Sequence, residues 1–340
     1  MSEFCHRQAA HCESGVVSAM LSHHGLPISE PMAFGLASAL SFAYLPFVKI
    51  GGMPLIAYRM PPRWIIRKAS KRLGVRFASK TFRNQKRGMA ALDRLLDEGR
   101  VVGLQTSVFW LPYFPDEMRF HFNAHNLLVY GREGDDYLIS DPVFEAPVRC
   151  PAADLQRARF AKGALAAKGL LYYPVHVPQE IDYASKVPAA IRLNEKIMAH
   201  APFRVLGVRG IRYLADNLIR TSRRRDARKR LPLYLAHIVR MQEEIGTGGA
   251  GFRFLYASFL QESAEKLDSQ ALADAATALT AAGDRWREFA LAAARVSRKR
   301  SDMNIETLAD LLRDCSAREA EVWAQLRQWL DSDEVKGNAD

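Results

Sequence analysis

The sequence lacks the pattern of a secretory leader. No basic stretch followed by an apolar run opens it, and Glu3, Cys5 and His6 interrupt its first residues, so a cytoplasmic protein is the expectation. It also lacks an apolar run long enough to cross a bilayer. The longest, Leu36 to Val48, is broken by Ser38, Ser41 and Pro46 and falls short of the ~18–20 residues a spanning helix needs, so it reads as buried core. Cysteine is scarce and scattered: Cys5, Cys12, Cys150 and Cys315 form no C-x-x-C pair. That argues against a disulfide framework and against a zinc site, and leaves a thiol free to be kept for its reactivity. Acid is missing from a whole stretch, since Arg59 to Arg87 carries eleven Lys or Arg and no Asp or Glu. A second basic run, Arg223 to Arg230, is relieved only by Asp226. Such patches steer acidic partners. Neither run has closely interleaved exposed aromatics or a groove-reading motif, so nucleic acid is not the expected partner.

What is present is enough for two domains, with 340 residues of which 49% are apolar. The first half mixes helical stretches with short runs rich in β-branched and aromatic residues, at Leu55–Arg59, Val75–Ser79, Val101–Thr106, His121–Gly131, Tyr137–Asp141 and Gly169–Val177. That is an α+β pattern. Gly134-Asp135-Asp136 predicts a hairpin between two of these runs. From Ala184 on, nearly everything has helical periodicity. The expected division is a first domain over 1–180, a helical domain over 184–332, and a flexible tail at 333–340.

Three residues carry chemistry. Cys12 opens an amphipathic stretch that runs to Gly25, and the unpaired N–H groups and positive dipole end at a helix start favour a thiolate. His125 lies near the start of one strand and Asp141 at the end of the next. Counting across a hairpin turned at Gly134-Asp135 makes them neighbours. A base histidine needs such a carboxylate to fix its tautomer and stabilise its charged form. Four residues are secondary candidates for substrate contact. His11 adjoins the nucleophile, His121 lies four residues before His125 on the same strand face, and the others are Gln105 and Arg253. Gly246–Gly251, before a helix, could cradle a phosphate with Arg253 adding charge.

Taken together, His11-Cys12-Glu13-Ser14, His24–Glu30, Phe34-Gly35-Leu36, Phe42-Ala43-Tyr44, the strand His125–Gly131 and Ser140-Asp141-Pro142 resemble the N-terminal domain of the butirosin biosynthesis protein H family. Ile245–Gly249 through Phe252–Tyr256 and Phe259-Leu260 resemble the helical domain of unassigned function that often follows it. The resemblance implies a papain-like cysteine-peptidase-type N-terminal domain with a mostly α-helical C-terminal domain, and a nucleophile, base and orienting acid at Cys12, His125 and Asp141. One departure stands out. Papain-like enzymes place an oxyanion-stabilising glutamine six residues before the cysteine, where this sequence has His6; Gln8 and the Cys12 backbone N–H are the substitutes at hand.

The activity implied is acyl transfer from the phosphopantetheine arm of an acyl carrier protein to an amine or hydroxyl acceptor, a small molecule or a lipid. No cofactor is bound by the enzyme itself and no metal is required. The basic runs Arg59–Arg87 and Arg223–Arg230 would dock the acidic carrier protein. A homodimer and peripheral membrane contact are compatible with the sequence. The alternatives are a papain-like peptidase or amidase, since the same triad cleaves amides when water is the acceptor, and a non-catalytic binding protein for an acidic partner.

Overall fold

The computed structural model describes residues 4–300 and 303–336. In chain order its elements are α1 (Cys12–His23), α2 (Glu30–Leu36), β1 (Leu40–Ile50), β2 (Met53–Arg59), α3 (Trp64–Leu73), β3 (Arg76–Lys80), α4 (Gln85–Asp97), β4 (Val102–Thr106), β5 (His125–Glu133), β6 (Asp136–Ser140), β7 (Val148–Pro151), α5 (Ala152–Arg159) and β8 (Leu171–His176). Helices follow: α6 (Tyr183–Met198), α7 (Gly207–Ser222), α8 (Ala227–Val239), α9 (Arg253–Leu267), α10 (Gln270–Ser297), α11 (Ile305–Asp331) and α12 (Asp333–Lys336). The fold is α+β with a mostly helical C-terminal part. The segment expected to be a flexible tail opens with the helical turn of α12; 337–340 lie outside the described residues. No helix among the described residues is long and apolar enough to cross a membrane.

The chain forms two compact units, and they are discontinuous in sequence. One comprises the residues up to Ala33 and Pro62–Ile181; the other comprises Phe34–Pro61 and the residues from Asp182 onward. The contiguous division at about 180 is thus replaced by one in which the hairpin β1–β2 packs with the helices. The cause is aromatic burial. Phe42 of β1 and Tyr58 of β2 set their rings 5.3 Å apart, and Tyr58 meets Trp286 of α10 at 5.6 Å. The Tyr44 hydroxyl donates to Asn217 of α7 at 2.6 Å. The stretch expected to be only buried core is therefore a strand whose first half is core and whose second half is not.

The first unit is built on a six-stranded antiparallel sheet in the order β3-β8-β4-β5-β6-β7. One face carries Val102, Leu104, Leu127, Val129 and Ile139 against Leu92 and Leu95 of α4 and Leu155 and Ala158 of α5. The other carries Leu128 and Tyr172 against Val16, Ala19 and Met20 of α1. Alternation along each strand thus feeds two cores, and α1, with Cys12 at its start, lies over β5.

Close approach decides the details. A Cβ at Gly15 would lie 2.5 Å from the Ala9 Cβ and 3.0 Å from the Pro142 Cβ, so only glycine lets the first turn of α1 settle against the Asp141-Pro142 loop. At Gly103, paired with Tyr172, a Cβ would be 2.3 Å from the Tyr172 ring.

The core of the second unit encloses an ion pair. Arg253 and Glu319 are fully buried and meet through Nε–Oε1 at 2.9 Å and a second guanidinium nitrogen to Oε2 at 3.1 Å. The Trp286 indole donates to the same carboxylate at 2.6 Å. Arg253 also donates to the Gly251 carbonyl at 2.7 Å.

Candidate active site

The start of α1 is held from two sides by carboxylates. Glu30 accepts from the backbone N–H of Ala10 (2.7 Å) and of His11 (2.8 Å) and from the Ser14 hydroxyl (2.9 Å). Burial pushes its carboxyl above the ordinary carboxylate range, and the donors from Ala10, Ser14 and His11 pull the other way. Glu13, fully buried, accepts from the N–H groups of Arg63 (3.1 Å), Ile65 (2.9 Å) and Ile66 (3.2 Å). It thereby satisfies orphan donors at the start of α3. His11 is the N-cap of α1, its Nδ1 meeting the N–H of Ser14 at 3.4 Å and its hydroxyl at 3.0 Å. Between these anchors Cys12 is half-exposed, whereas Cys150 and Cys315 are buried.

His125 begins β5, opposite Thr106, and its Nε2 donates to Asp141 Oδ2 at 2.7 Å. A bulge makes this possible. Along the hairpin Gly131 pairs with Leu138, yet Val129 pairs with Ile139, leaving Tyr130 unmatched. The register continued past Ser140, opposite Leu128, sets Asp141 against Leu127, on the face His125 shares. Without the extra residue Asp141 would fall on the opposite face. Asp141 also accepts from the Tyr113 hydroxyl at 2.9 Å and the Val143 N–H at 3.1 Å. Burial pushes the Tyr113 phenol well above its usual range and the Asp141 charge adds to it, so this hydroxyl stays a donor.

With Nε2 committed to Asp141, Nδ1 is left for the Cys12 thiol. Burial pulls the imidazole's pKa down, but the charge and hydrogen bond of Asp141, then the hydrogen bond and charge of Cys12, outweigh it and raise it to about 10. An imidazole held by a carboxylate beside a cysteine is the arrangement of a nucleophile with its base.

The other candidates are placed differently. His121 is not on the strand of His125: β4 ends at Thr106, so nothing extends the ladder beyond His125, and His121 lies exposed in the preceding loop, its ring stacked 4.1 Å from Phe109. Both ends of the Gln105 amide are engaged, accepting from Arg63 Nε at 2.6 Å and donating to the carbonyls of Asn123 (2.9 Å) and Leu165 (3.3 Å). It braces loops rather than facing a substrate. Gln8 is exposed and donates to the Val143 carbonyl at 3.4 Å. His6 is bound to the loop around Asp141, with Nδ1 at 2.7 Å from the Ser140 hydroxyl and Nε2 at 3.0 Å from the Phe144 carbonyl. Arg253 belongs to the second unit's core, its guanidinium already paired. In the glycine loop before it two of the N–H groups are already engaged, Ala250 donating to Glu243 at 3.1 Å and Gly249 to the Thr247 hydroxyl at 3.2 Å. Among the described residues no group of His, Cys, Asp or Glu could hold a metal ion.

Sequence reasoning missed Tyr113 and the clamps Glu13 and Glu30. Tyr113 sits in an aromatic run with no periodicity to single it out. Glu13 and Glu30 lie within the motifs already quoted, where their number and spacing say nothing of what they hold.

A thiol at a helix start, an imidazole at the head of a strand and a carboxylate just beyond the next strand define a papain-like cysteine enzyme. Residues 11–142 match the family model described as butirosin biosynthesis protein H, N-terminal, and residues 153–326 match that of a domain of unknown function, DUF4872. The chain belongs to this butirosin biosynthesis protein H-like family. The matched segments do not coincide with the structural units: the first contains β1 and β2 of the second unit, and the second takes in α5 and β8, which complete the first unit's sheet. A solved structure described as a C39-like peptidase from Bacillus anthracis is similar over 52% of this chain and 98% of its own, at 16% identity and a TM-score of 0.36. Comparison with curated proteins gave no match.

Proposed function

We propose that this enzyme transfers an acyl group from the phosphopantetheine thioester of an acyl carrier protein, through an acyl-Cys12 intermediate, to an amine or hydroxyl acceptor. The observation that carries the reading is Cys12, partly buried at the start of α1, beside an imidazole whose far nitrogen is fixed by Asp141. His125 Nδ1 takes the thiol proton, and the thiolate attacks the thioester carbonyl. Collapse of the tetrahedral species breaks the bond to the pantetheine sulfur, which leaves with the proton from His125. The acceptor then gives its proton to His125 and attacks the acyl-enzyme, and Cys12 departs as thiolate. Thioester exchange suits a sulfur nucleophile because entering and leaving groups are alike.

Charge supports the choice of donor. A cavity of about 500 Å³ in the first unit is lined by Lys80, Arg83, Arg87 and Arg94 together with Phe82 and Asn84, and a basic groove of this kind attracts an acidic carrier protein. The test is the intact mass of the protein after incubation with acylated carrier protein. The expected result is one acyl adduct on the wild type and none on Cys12→Ala, followed by loss of the adduct when acceptor is added. Cleavage of peptides by Cys12 with no adduct from any acyl-carrier thioester would replace acyl transfer by hydrolysis.

A further inference from the structure

The far end of the β1–β2 hairpin departs from what packing a core requires. Leu45 pairs with Leu55, but the next pair is Lys49 with Pro54. Pro46, Phe47 and Val48 are thus looped out of the ladder; Pro46, with no N–H to give, suits a bulge. Four consecutive residues, Phe47 to Ile50, are exposed, so neither face of the strand is covered there. Phe47 is 72% exposed, Ile50 55% and Val48 37%.

Two further exposed apolar side chains lie on segments bonded to this hairpin. Leu206 bridges antiparallel to Ala43, and Phe203, 65% exposed, opens the turn that leads into that bridge, its carbonyl accepting from the Leu206 N–H at 3.1 Å. His237 of α8 meets the Pro54 carbonyl at 2.9 Å. Leu233, one turn earlier on the same helix face, is 60% exposed. Phe47, Val48, Ile50, Phe203 and Leu233 are five of the eleven large apolar residues that the described structure leaves exposed. All five lie on the β1–β2 hairpin or on segments bonded to it, a concentration that marks an interaction surface.

Cations surround them. Lys49 lies in the tip and Arg204 follows Phe203. One to two turns before Leu233, roughly 5–15 Å along the helix, α8 and the turn before it carry the basic run. Asp226 pairs with Arg224 (3.2 Å) and Arg230 (3.0 Å), and Glu306 with Arg223 (3.1 Å). Arg225, Arg228 and Lys229 are exposed and have no acidic partner among the described residues. Apolar side chains on a strand with both faces uncovered offer no single flat face for a complementary protein surface, but a fluid bilayer needs none. Apolar side chains for the acyl boundary and unpaired cations for the headgroups are the two components of interfacial anchoring.

We propose that the second unit docks on a membrane surface carrying anionic lipid, with Phe47, Val48, Ile50, Phe203 and Leu233 entering the interfacial layer and Arg225, Arg228 and Lys229 meeting the headgroups.

Co-sedimentation of the full chain with vesicles tests this. One set is phosphatidylcholine alone and the other contains about a third phosphatidylglycerol, at roughly 0.15 M salt. Binding to the anionic set and little to the neutral set is expected. Replacing Phe47, Val48 and Ile50 together by Ser lowers the partition coefficient roughly tenfold or more. Replacing Arg225, Arg228 and Lys229 together by Ala lowers it on the order of 100-fold. All six side chains are exposed, so the thermal midpoint is expected to stay put in both variants. Wild-type protein left in the supernatant with both vesicle types overturns the proposal. So does a serine variant that partitions like the wild type, which would reduce the effect to adsorption by charge, and so does capture by an acidic protein with vesicles ignored.

Discussion

Among the described residues each structural unit buries an ion pair, and the two pairs are finished differently. In the second unit Arg253 has its fork on Glu319, another N–H on the Gly251 carbonyl and aromatic rings of Tyr58 and Trp286 within 5.5 Å and 5.1 Å. The Trp286 indole tops up the carboxylate. The cluster is closed on itself. In the first unit Asp141 is equally saturated, by His125, Tyr113 and Val143, but its partner is an imidazole with a second nitrogen, and that nitrogen is left for Cys12, a residue only partly buried. The same cost of burying charge fixes architecture in one unit and leaves a donor position open beside a candidate nucleophile in the other.

Breaking the open pair should abolish chemistry and spare the fold. Cys12→Ala removes the nucleophile, and acyl loading measured by intact mass should fall below detection, a loss of at least about 10⁵-fold, with the thermal midpoint within about 2 °C of wild type. Asp141→Asn keeps the shape but inverts the donor and acceptor presented to Nε2, so the ring is pushed toward the wrong tautomer. A loss on the order of 10³–10⁴ in the acylation rate is expected. If that rate were unchanged, Asp141 would be an architectural residue like Glu319. Breaking the closed pair should do the reverse: Glu319→Ala strands the buried Arg253 charge and should lower stability by about 3–5 kcal/mol in chemical denaturation. The apolar double replacement Arg253→Met with Glu319→Leu should recover most of that loss, because no charge is then left unpaired.

The two pairs also differ in how far they could be read from the chain. Cys12, His125 and Asp141 were accessible because each sits at an element end that local signals mark, namely a helix start and two strand ends on either side of a Gly-Asp turn. What could not be read was the parity. Whether Asp141 shares a face with His125 depends on the bulge at Tyr130, and no residue there announces an extra step in the register. The same limit hid the loop position of His121, since strand length is set by the partner strand β4 rather than by the composition of residues 121–124. Arg253 was misplaced for a different reason. A glycine-rich turn followed by arginine is compatible with a ligand site, and only the long-range approach of Glu319, 66 positions away, uses up the charge. The hairpin β1–β2 shows the limit at domain scale: its strand residues were legible as apolar, but the helices that cover Phe42, Tyr44 and Tyr58 come more than 150 residues later.

The gentlest test of the contrast is a slope rather than a loss. In the first unit the imidazole's affinity for its proton is raised by folding, from an ordinary 6.5 to about 10. Below about pH 6.5 the ring is protonated in both folded and unfolded chains, and the stabilisation is fully present. Between about 6.5 and 10 the native state holds a proton the unfolded state lacks, so stability declines as pH rises, by at most about 1.4 kcal/mol per unit for one proton. The measurement is cleanest in Cys12→Ala, where the sulfur no longer exchanges protons with the ring. Losing the hydrogen bond and charge of Cys12 lowers the upper end of the window, while the charge and hydrogen bond of Asp141 remain as the upward influence. Denaturation midpoints of Cys12→Ala and of Cys12→Ala with His125→Gln should therefore diverge most at low pH and converge toward pH 10. A constant gap across that range would mean that His125 contributes by packing alone, and the open pair would then have to be regarded as a second closed one.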